Sequence, residues 1–295
     1  MGDQKYEVVL KAAETGSFKE TARELGYTQA GISYLVSSLE REFGVPLFVR
    51  EYGGVRHTAD GQALLPWMQD VRNAERRLAT ELAERKSLGS GSVRVVTFTS
   101  TAIQWAPGIA QTFLERHPSI DLDLVCCDDQ DALESMLARG DVDCGFAVLP
   151  VKLPLHVEPL VKDPLLIAVA SDHPLARSER FPKEALESEP YIRLQDGERS
   201  ELEEVFRQND VKPSVRFSLD SDYAVMSLVS AGLGYSVLSG LILRNAPFPL
   251  TSLRPPVSVD REIALCLNDP ETASAACRAF MDVAREWVAR AYETS

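Results

Sequence analysis

Two consecutive helices, marked by their own caps and by the turn between them, constrain this chain more than any other feature. They lie in SFKETARELGYTQAGISYLVSSLEREFG, residues 17–44. Ser17 is placed to cap the first helix, and Glu20 three residues on completes the spacing of a capping box. The helix is expected to run to about Leu25, where Gly26 can adopt the left-handed conformation that ends it. Thr28 is the expected cap of the next helix. At about 100° per residue, Val36, Leu39 and Phe43 all fall within about 40° of Ile32, a narrow apolar stripe. Ala30, Ser33, Tyr34, Ser37 and Arg41 fall on the opposite face. These are small or hydrogen-bonding residues rather than a Lys/Glu solubility face, and such a surface suits close approach to base edges in a major groove.

Ala22, Gly26 and Ile32 have the spacing of a helix-turn-helix: a small residue at the crossing, a glycine in the turn and a β-branched anchor in the second helix. Taken alone, this pattern also fits an amphipathic helix pair in an unrelated all-α domain. The next segment, GVPLFVREYGGVRHT (44–58), narrows the choice. Its two apolar runs flank Gly53-Gly54, so a two-glycine hairpin is expected there. Arg50, Arg56 and His57 flank the tip, where a β-wing can reach phosphates or a minor groove.

With these residues in place, positions 6–65 closely resemble the winged helix-turn-helix of the LysR-type transcriptional regulators. The matching elements run in order: A-x-x-L-x-x-T-Q-x-x-I-S from Ala22, S-L-E-x-x-x-G-V-x-L-F-x-R from Ser38, and T-x-x-G from Thr58. The resemblance implies double-stranded operator DNA as a partner, and it covers Thr28, Gln29, Ser33 and Arg50. Tyr34 stands where the family usually has Arg, so that base contact is replaced by a hydroxyl, an aromatic edge or phosphodiester packing. Ser37 on the exposed helix face and Arg56 on the wing complete the expected DNA-binding set.

Thr58 and Asp60 mark the start of a long helix over residues 58–87. Leu64, Met68, Val71, Leu78 and Leu82 recur along it at near-heptad spacing. About 30 residues at ~1.5 Å each span roughly 45 Å, with Pro66 placed to bend the helix near its start. Such a stripe between two domains suits burial against a partner chain. The resemblance likewise implies a linker helix through which a homodimer or homotetramer forms.

After LGSGS (88–92), a flexible connector by composition, the pattern changes. Strands are expected at 93–97, 120–126, 144–148, 165–170, 191–194, 215–219, 235–238 and 262–267. Helices are expected at 107–116, 131–139, 201–209, 224–231 and 271–292. This alternation indicates α/β sheets. The runs FLERHP, LARGDVDCGFAV, DHPLA and LVSAGLGYSVL extend the family resemblance more weakly over about 93–285. It implies a two-lobed effector-binding domain like the periplasmic solute-binding proteins. The domains are then residues 1–58 (winged helix-turn-helix), 59–91 (linker helix and connector) and 92–295 (effector-binding). Lobe I takes 92–162 and 266–295, and lobe II takes 163–265.

A small effector is expected between the lobes. TFTSTA (97–102) follows the first strand, and hydroxyls opening a helix suit a carboxylate or another anion. Thr99, Ser100 and Thr101 are therefore the first candidates, the last two by resemblance. Arg193, after the strand at 191, is placed to pair with an anion, and Leu149 to line the pocket. The expected effector is small and anionic. Gly232 and Gly234 in AGLGYS lack the third glycine of a dinucleotide loop and read as a tight turn.

Charge is unevenly divided. Of 31 basic and 44 acidic residues, residues 1–58 hold seven and eight, and the other 237 hold 24 and 36. The net charge of −13 is therefore no argument against DNA. Five cysteines in no CxxC pattern describe neither a disulfide framework nor a zinc site. They read as buried thiols in a reducing cytoplasm, with a redox role open for Cys126 and Cys127. No secretory signal or membrane span is expected. No nucleophile elbow, P-loop or HExxH motif is present. The four histidines lie singly, so neither an enzyme, a metal nor a cofactor is expected. RNA polymerase is a further partner that a transcription regulator would contact.

Overall fold

The protein is described here from a computed structural model covering residues 3–86, 91–195 and 201–293. Its chain divides into an N-terminal unit that ends at Lys86 and a C-terminal unit beyond it.

The N-terminal unit contains α1 (Asp3–Thr15), α2 (Phe18–Leu25), α3 (Gln29–Phe43), β1 (Phe48–Glu51), β2 (Gly54–His57) and α4 (Ala59–Lys86). Its caps follow the local sequence. Ser17 Oγ accepts from Glu20 N, Gly26 closes α2 at φ +71°, and Thr28 Oγ1 accepts from Gly31 N. The core gathers Val8, Val9 and Ala12 from α1 around Ile32, Val36 and Leu39 of α3, with Leu47 and Met68 closing it. Phe43, placed on the apolar stripe, is instead 36% exposed. It sits at the last turn of α3, beyond the reach of the core, and leans on the ring of Tyr6.

The hairpin turns one residue earlier than the glycine pair suggested. Tyr52 and Gly53 form the turn, and Gly54 is paired with Glu51 as the first residue of β2. A second contact explains why Gly54 is glycine: a Cβ there would stand 2.4 Å from Gly16 O. The same strand is tied down by a hydrogen bond from Val55 N to Gly16 O. Helix α4 starts on the Thr58 hydroxyl, which accepts from Gly61 N and donates to Pro46 O. The helix continues through Pro66. Met68 is buried, Leu64 is half-buried, and Trp67, Val71, Leu78 and Leu82 are exposed in the single chain.

The C-terminal unit contains β3 (Gly91–Thr97), α5 (Thr99–Gln104), α6 (Ala106–Arg116), β4 (Ile120–Cys126), α7 (Gln130–Arg139), β5 (Cys144–Leu149) and β6 (His156–Ala170). It continues with α8 (Lys183–Ser188), β7 (Pro190–Leu194), α9 (Glu204–Asn209), β8 (Ser214–Leu219), α10 (Asp222–Ser230), β9 (Ser236–Ser239), α11 (Gly240–Leu243), β10 (Leu250–Leu253), β11 (Val259–Leu267) and α12 (Ala275–Glu293). Of the proposed connector, Leu88, Gly89 and Ser90 lie outside the described residues, and Gly91 and Ser92 already belong to β3.

Two separate cores define two lobes. One is built on β3, β5 and α12 around Phe113, Phe146 and Phe280. The other surrounds Phe181, Tyr191 and Tyr235. One sheet runs through both, in the order β10-β6-β11-β5-β3-β4, with β9 also paired to β6. The long antiparallel strands β6 and β11 carry the chain from lobe to lobe, with Arg261 opposite Asp163 at the crossing. The return crossing therefore lies near Arg261, a few residues before Leu265, because Ile263, Ala264 and Leu265 are already packed in the first core. Where one helix was expected at 201–209, a 3-10 turn at Glu201–Glu203 leads into α9. The AGLGYS segment is a turn between α10 and β9.

Candidate functional site

In the N-terminal unit, the residues expected to meet DNA lie on α3 and its wing. Gln29, Tyr34 and Ser37 are exposed, with Tyr34 66% accessible. Thr28 serves as the cap of α3. Arg50 Nη2 donates to Ser33 Oγ at 2.9 Å, so β1 and α3 are joined at two of the expected contacts. Glu40, two turns along α3 on the side of Ser33, accepts from Leu47 N at 2.8 Å and Phe48 N at 3.2 Å and so fixes where the wing begins.

The cations of this unit are not equivalent. Arg56 Nε is held by Glu51 at 2.9 Å. Lys5 pairs with Glu42, Lys11 with Glu14 and Glu24, and Arg23 with Glu20. Among the described residues no carboxylate pairs with Arg50, and Arg41 donates to Ser37 O at 3.2 Å. Tyr52, wholly exposed at the wing tip, was not singled out in the sequence.

In the C-terminal unit, a small cavity of about 50 Å3 opens between the lobes. Its centre is Arg261, which sequence reasoning missed. Only 7% exposed, Arg261 reaches three partners: Nε to Asp163 at 2.9 Å, Nη1 to Glu201 at 2.8 Å and Nη2 to Ser100 Oγ at 2.7 Å. Its guanidinium also lies 5.2 Å from the centre of the Phe98 ring. Asp163 further accepts from Leu241 N at 2.8 Å. Burial raises the Asp163 pKa, and the pull of Arg261 offsets this only in part.

The hydroxyl-rich turn is already occupied. Asp128 accepts from Thr99 N and from Thr99 Oγ1, both at 2.7 Å. Its carboxylate thus stands where an anion was expected. Thr101 is fully buried, bonded to Thr97 Oγ1 at 2.6 Å and to Phe98 O at 2.9 Å, and serves the start of α5 rather than the cavity. Thr99 and Ser100 do line the cavity. Leu149 lines a neighbouring opening that shares Gln130, Val148, Glu201 and Arg261 with it. Arg193 does not join them. It pairs with Glu203 at 3.1 Å and faces a separate groove beside Phe206 and Val211.

Beyond Arg261, the charged groups among the described residues lining the cavity are carboxylates: Asp128, Glu201, Asp220 and Asp222. Asp222 is pushed up to about 6, chiefly by burial and then by the negative charge of Asp128, although it opens a helix whose N-terminus favours anions. Cys127 also lines the cavity, next to the exposed Cys126. Burial raises both thiols, so neither is activated as a thiolate. Cys144, Cys266 and Cys277 are buried. Among the described residues no cluster has the makings of a metal site. No helix among them is long and apolar enough to cross a membrane.

Comparison with known proteins bears on both units. Residues 4–62 match the family described as bacterial regulatory helix-turn-helix protein, lysR family. Residues 86–289 match the LysR substrate binding domain. The uncharacterized HTH-type transcriptional regulator YvbU of Bacillus subtilis (strain 168) is 26% identical over 282 residues, covering 95% of this chain and 96% of the relative. The HTH-type transcriptional activator CmpR of Synechocystis sp. is 29% identical over 252 residues, covering 84% and 83%. The solved structure of full-length CbnR complexed with its target DNA has the same fold, with a TM-score of 0.73 at 18% identity, covering 97% of this chain and 99% of that one.

Proposed function

From the premise that this chain belongs to the LysR family of bacterial transcription regulators, which are not enzymes, we propose that α3 and its wing read an operator and that a small molecule between the lobes controls the outcome. The observation that carries the first half is the bond from Arg50 to Ser33. It holds the wing base against the exposed, short-chained face of α3, where Gln29, Tyr34 and Ser37 project. In this reading α3 enters the major groove. Gln29 and Ser33 address base edges, Thr28 and Arg50 address phosphates, and Tyr34 takes a thymine methyl or the backbone. Arg56 adds a phosphate contact once Glu51 releases it. That CbnR binds target DNA in its crystal structure supports the same use of this fold.

The exposed apolar side chains Trp67, Val71, Leu78 and Leu82 along α4 support pairing of two chains. A dimer, or a tetramer built from two dimers, sets two recognition helices on two half-sites. Such a protein works in the cytoplasm, and RNA polymerase is its natural downstream contact. Closure of the two lobes on an effector would shift the arrangement of subunits on DNA. An anionic effector, as the hydroxyl-rich turn suggested, would have to displace Asp128 from Thr99 and face three further carboxylates.

Band shifts on the DNA flanking the gene test the reading. Ser33→Ala and Gln29→Ala are each expected to relax sequence preference by about 1–3 kcal/mol. If both leave the preference for operator over random DNA unchanged, α3 is not the reading element. Leu78→Asp is expected to shift sedimentation toward the monomer and lower operator affinity about a hundredfold through loss of the second half-site. An unchanged sedimentation coefficient would remove α4 as the pairing surface.

A further inference from the structure

The charge of the inter-lobe cavity selects its ligand. Resting on the reading that this cavity is the effector site, we propose that the effector is a small organic cation, an ammonium or guanidinium compound, held by Asp222 and Asp128. Three observations lead there. First, the groups that would welcome an anion are occupied by the protein itself. Asp128 takes both the amide and the hydroxyl of Thr99. The three donor positions of Arg261 that face Asp163, Glu201 and Ser100 are likewise filled. Second, the cavity keeps carboxylates that are not fully compensated. Among the described residues no salt bridge neutralises Asp222, the charge of Arg261 offsets its burial only in part, and Asp220 near it adds a further negative charge to the wall. Third, the two carboxylates come from opposite lobes, Asp128 just after β4 and Asp222 at the start of α10.

That placement gives the ligand a mechanical consequence. Like charges on facing lobes repel, and a cation between them turns the repulsion into two attractions. The ligand therefore favours the state in which the lobes are close, which is the differential affinity any effector needs. Burial strengthens the effect, because Asp222 lies where its charge is poorly solvated. An anion in the same place would raise the repulsion instead. The uncharged part of the ligand has a hydrogen-bonding partner in Gln195 and apolar wall in Leu133 and Leu238.

The test is thermal unfolding of the full-length protein at pH 8 and constant ionic strength. The probes are straight-chain diamines of three to six carbons and agmatine, run beside dicarboxylates of the same chain lengths. At least one cation is expected to raise Tm saturably by a few degrees, as a ligand at about a hundred times its Kd does, and no dicarboxylate should. Asp222→Asn should weaken the effective cation about tenfold or more while the unliganded variant melts no lower than wild type, because it loses only an unfavourable buried charge. Gln195→Trp, which fills the cavity from an exposed position, should abolish the shift. If a dicarboxylate stabilises the protein and Gln195→Trp removes that effect, the cavity remains the effector site and the cationic class is wrong. If the cation stabilises wild type, Asp222→Asn and Gln195→Trp equally, the ligand sits elsewhere and the inter-lobe reading itself fails. If no cation stabilises wild type, the cationic class is wrong.

Discussion

The two arginines at the centre of the two units do opposite work. Arg50 sits on the surface of the wing, bonded to a neutral serine, with its charge left for a partner outside the protein. Arg261 is buried, and its charge is consumed by Asp163 and Glu201. A cation in water can serve recognition because its solvation is surrendered only when a phosphate replaces it. A cation in the interior cannot remain unpaired, so it becomes part of the scaffold. The balance of the neighbouring acids follows. Over residues 1–58 four of the seven bases, Lys5, Lys11, Arg23 and Arg56, are paired with carboxylates and the net charge is near zero. Among the described residues around the cavity the carboxylates outnumber the arginine, and the surplus is left facing the ligand space.

The largest expected effect tests the scaffold role. Arg261→Ala strands Asp163 in the interior and should destabilise the protein by about 3–5 kcal/mol in chemical denaturation. Pairing it with Asp163→Asn should recover a large part of that loss. A single variant with wild-type stability would make Arg261 an exposed-type arginine like Arg50, and the contrast would collapse.

A smaller effect concerns the surplus acids. The Asp222 pKa is raised to about 6 in the fold, above its ordinary carboxylate value, through burial and the charges of Asp128 and Glu201, with Arg261 opposing. Between about pH 4 and 6 the folded state therefore holds a proton that the unfolded state has lost, and stability falls as pH rises through that window. Asp222→Asn should remove this fall and add on the order of 2 kcal/mol at pH 7, while matching wild type near pH 4. A variant less stable than wild type at pH 7 would mean that Asp222 is a structural partner.

The smallest effect separates the two wing arginines. Arg56 is already satisfied by Glu51 and must give up that pair to touch a phosphate. Arg56→Ala should cost operator affinity less than about threefold, within the range of an exposed ion pair exchanged for another contact. A loss larger than that of Arg50→Ala would reverse the ranking.

Legibility in the sequence followed the same divide. In the N-terminal unit the determinants are local. Ser17, Gly26 and Thr28 each act on residues within a few positions, so caps and turn could be read directly, and the face of α3 followed from its period. The hairpin slipped by one residue because Gly54 is required by a contact with Gly16, 38 positions away in sequence, and not by the turn. The cavity is non-local throughout. Ser100 and Arg261 are separated by 161 residues and Asp163 and Arg261 by 98, and no spacing rule links them. One signal was nonetheless present. Arg261 falls in step with Val259, Ile263 and Leu265 on the apolar face of its strand, so a charge occupies a position that should face a core. Arg193 illustrates the reverse: a basic residue at the end of a lobe II strand suggested a cavity contact, but the strand turns that side chain outward to Glu203. Asp128 is 29 residues from Thr99, and the hydroxyls that suggest an anion site are satisfied by that distant carboxylate.

The claim that an exposed, carboxylate-free Arg50 anchors operator binding while the protein's acidity lies elsewhere is tested most directly by a salt series. Binding of the full-length protein to the DNA flanking its own gene is measured as a function of salt concentration for wild type and Arg50→Ala. A modest wild-type slope is predicted, since few cations are available, and the variant should lose about one unit of slope per recognition helix and about tenfold in affinity, for operator and random DNA alike. A steep wild-type slope, or a slope unchanged by Arg50→Ala, would contradict the account.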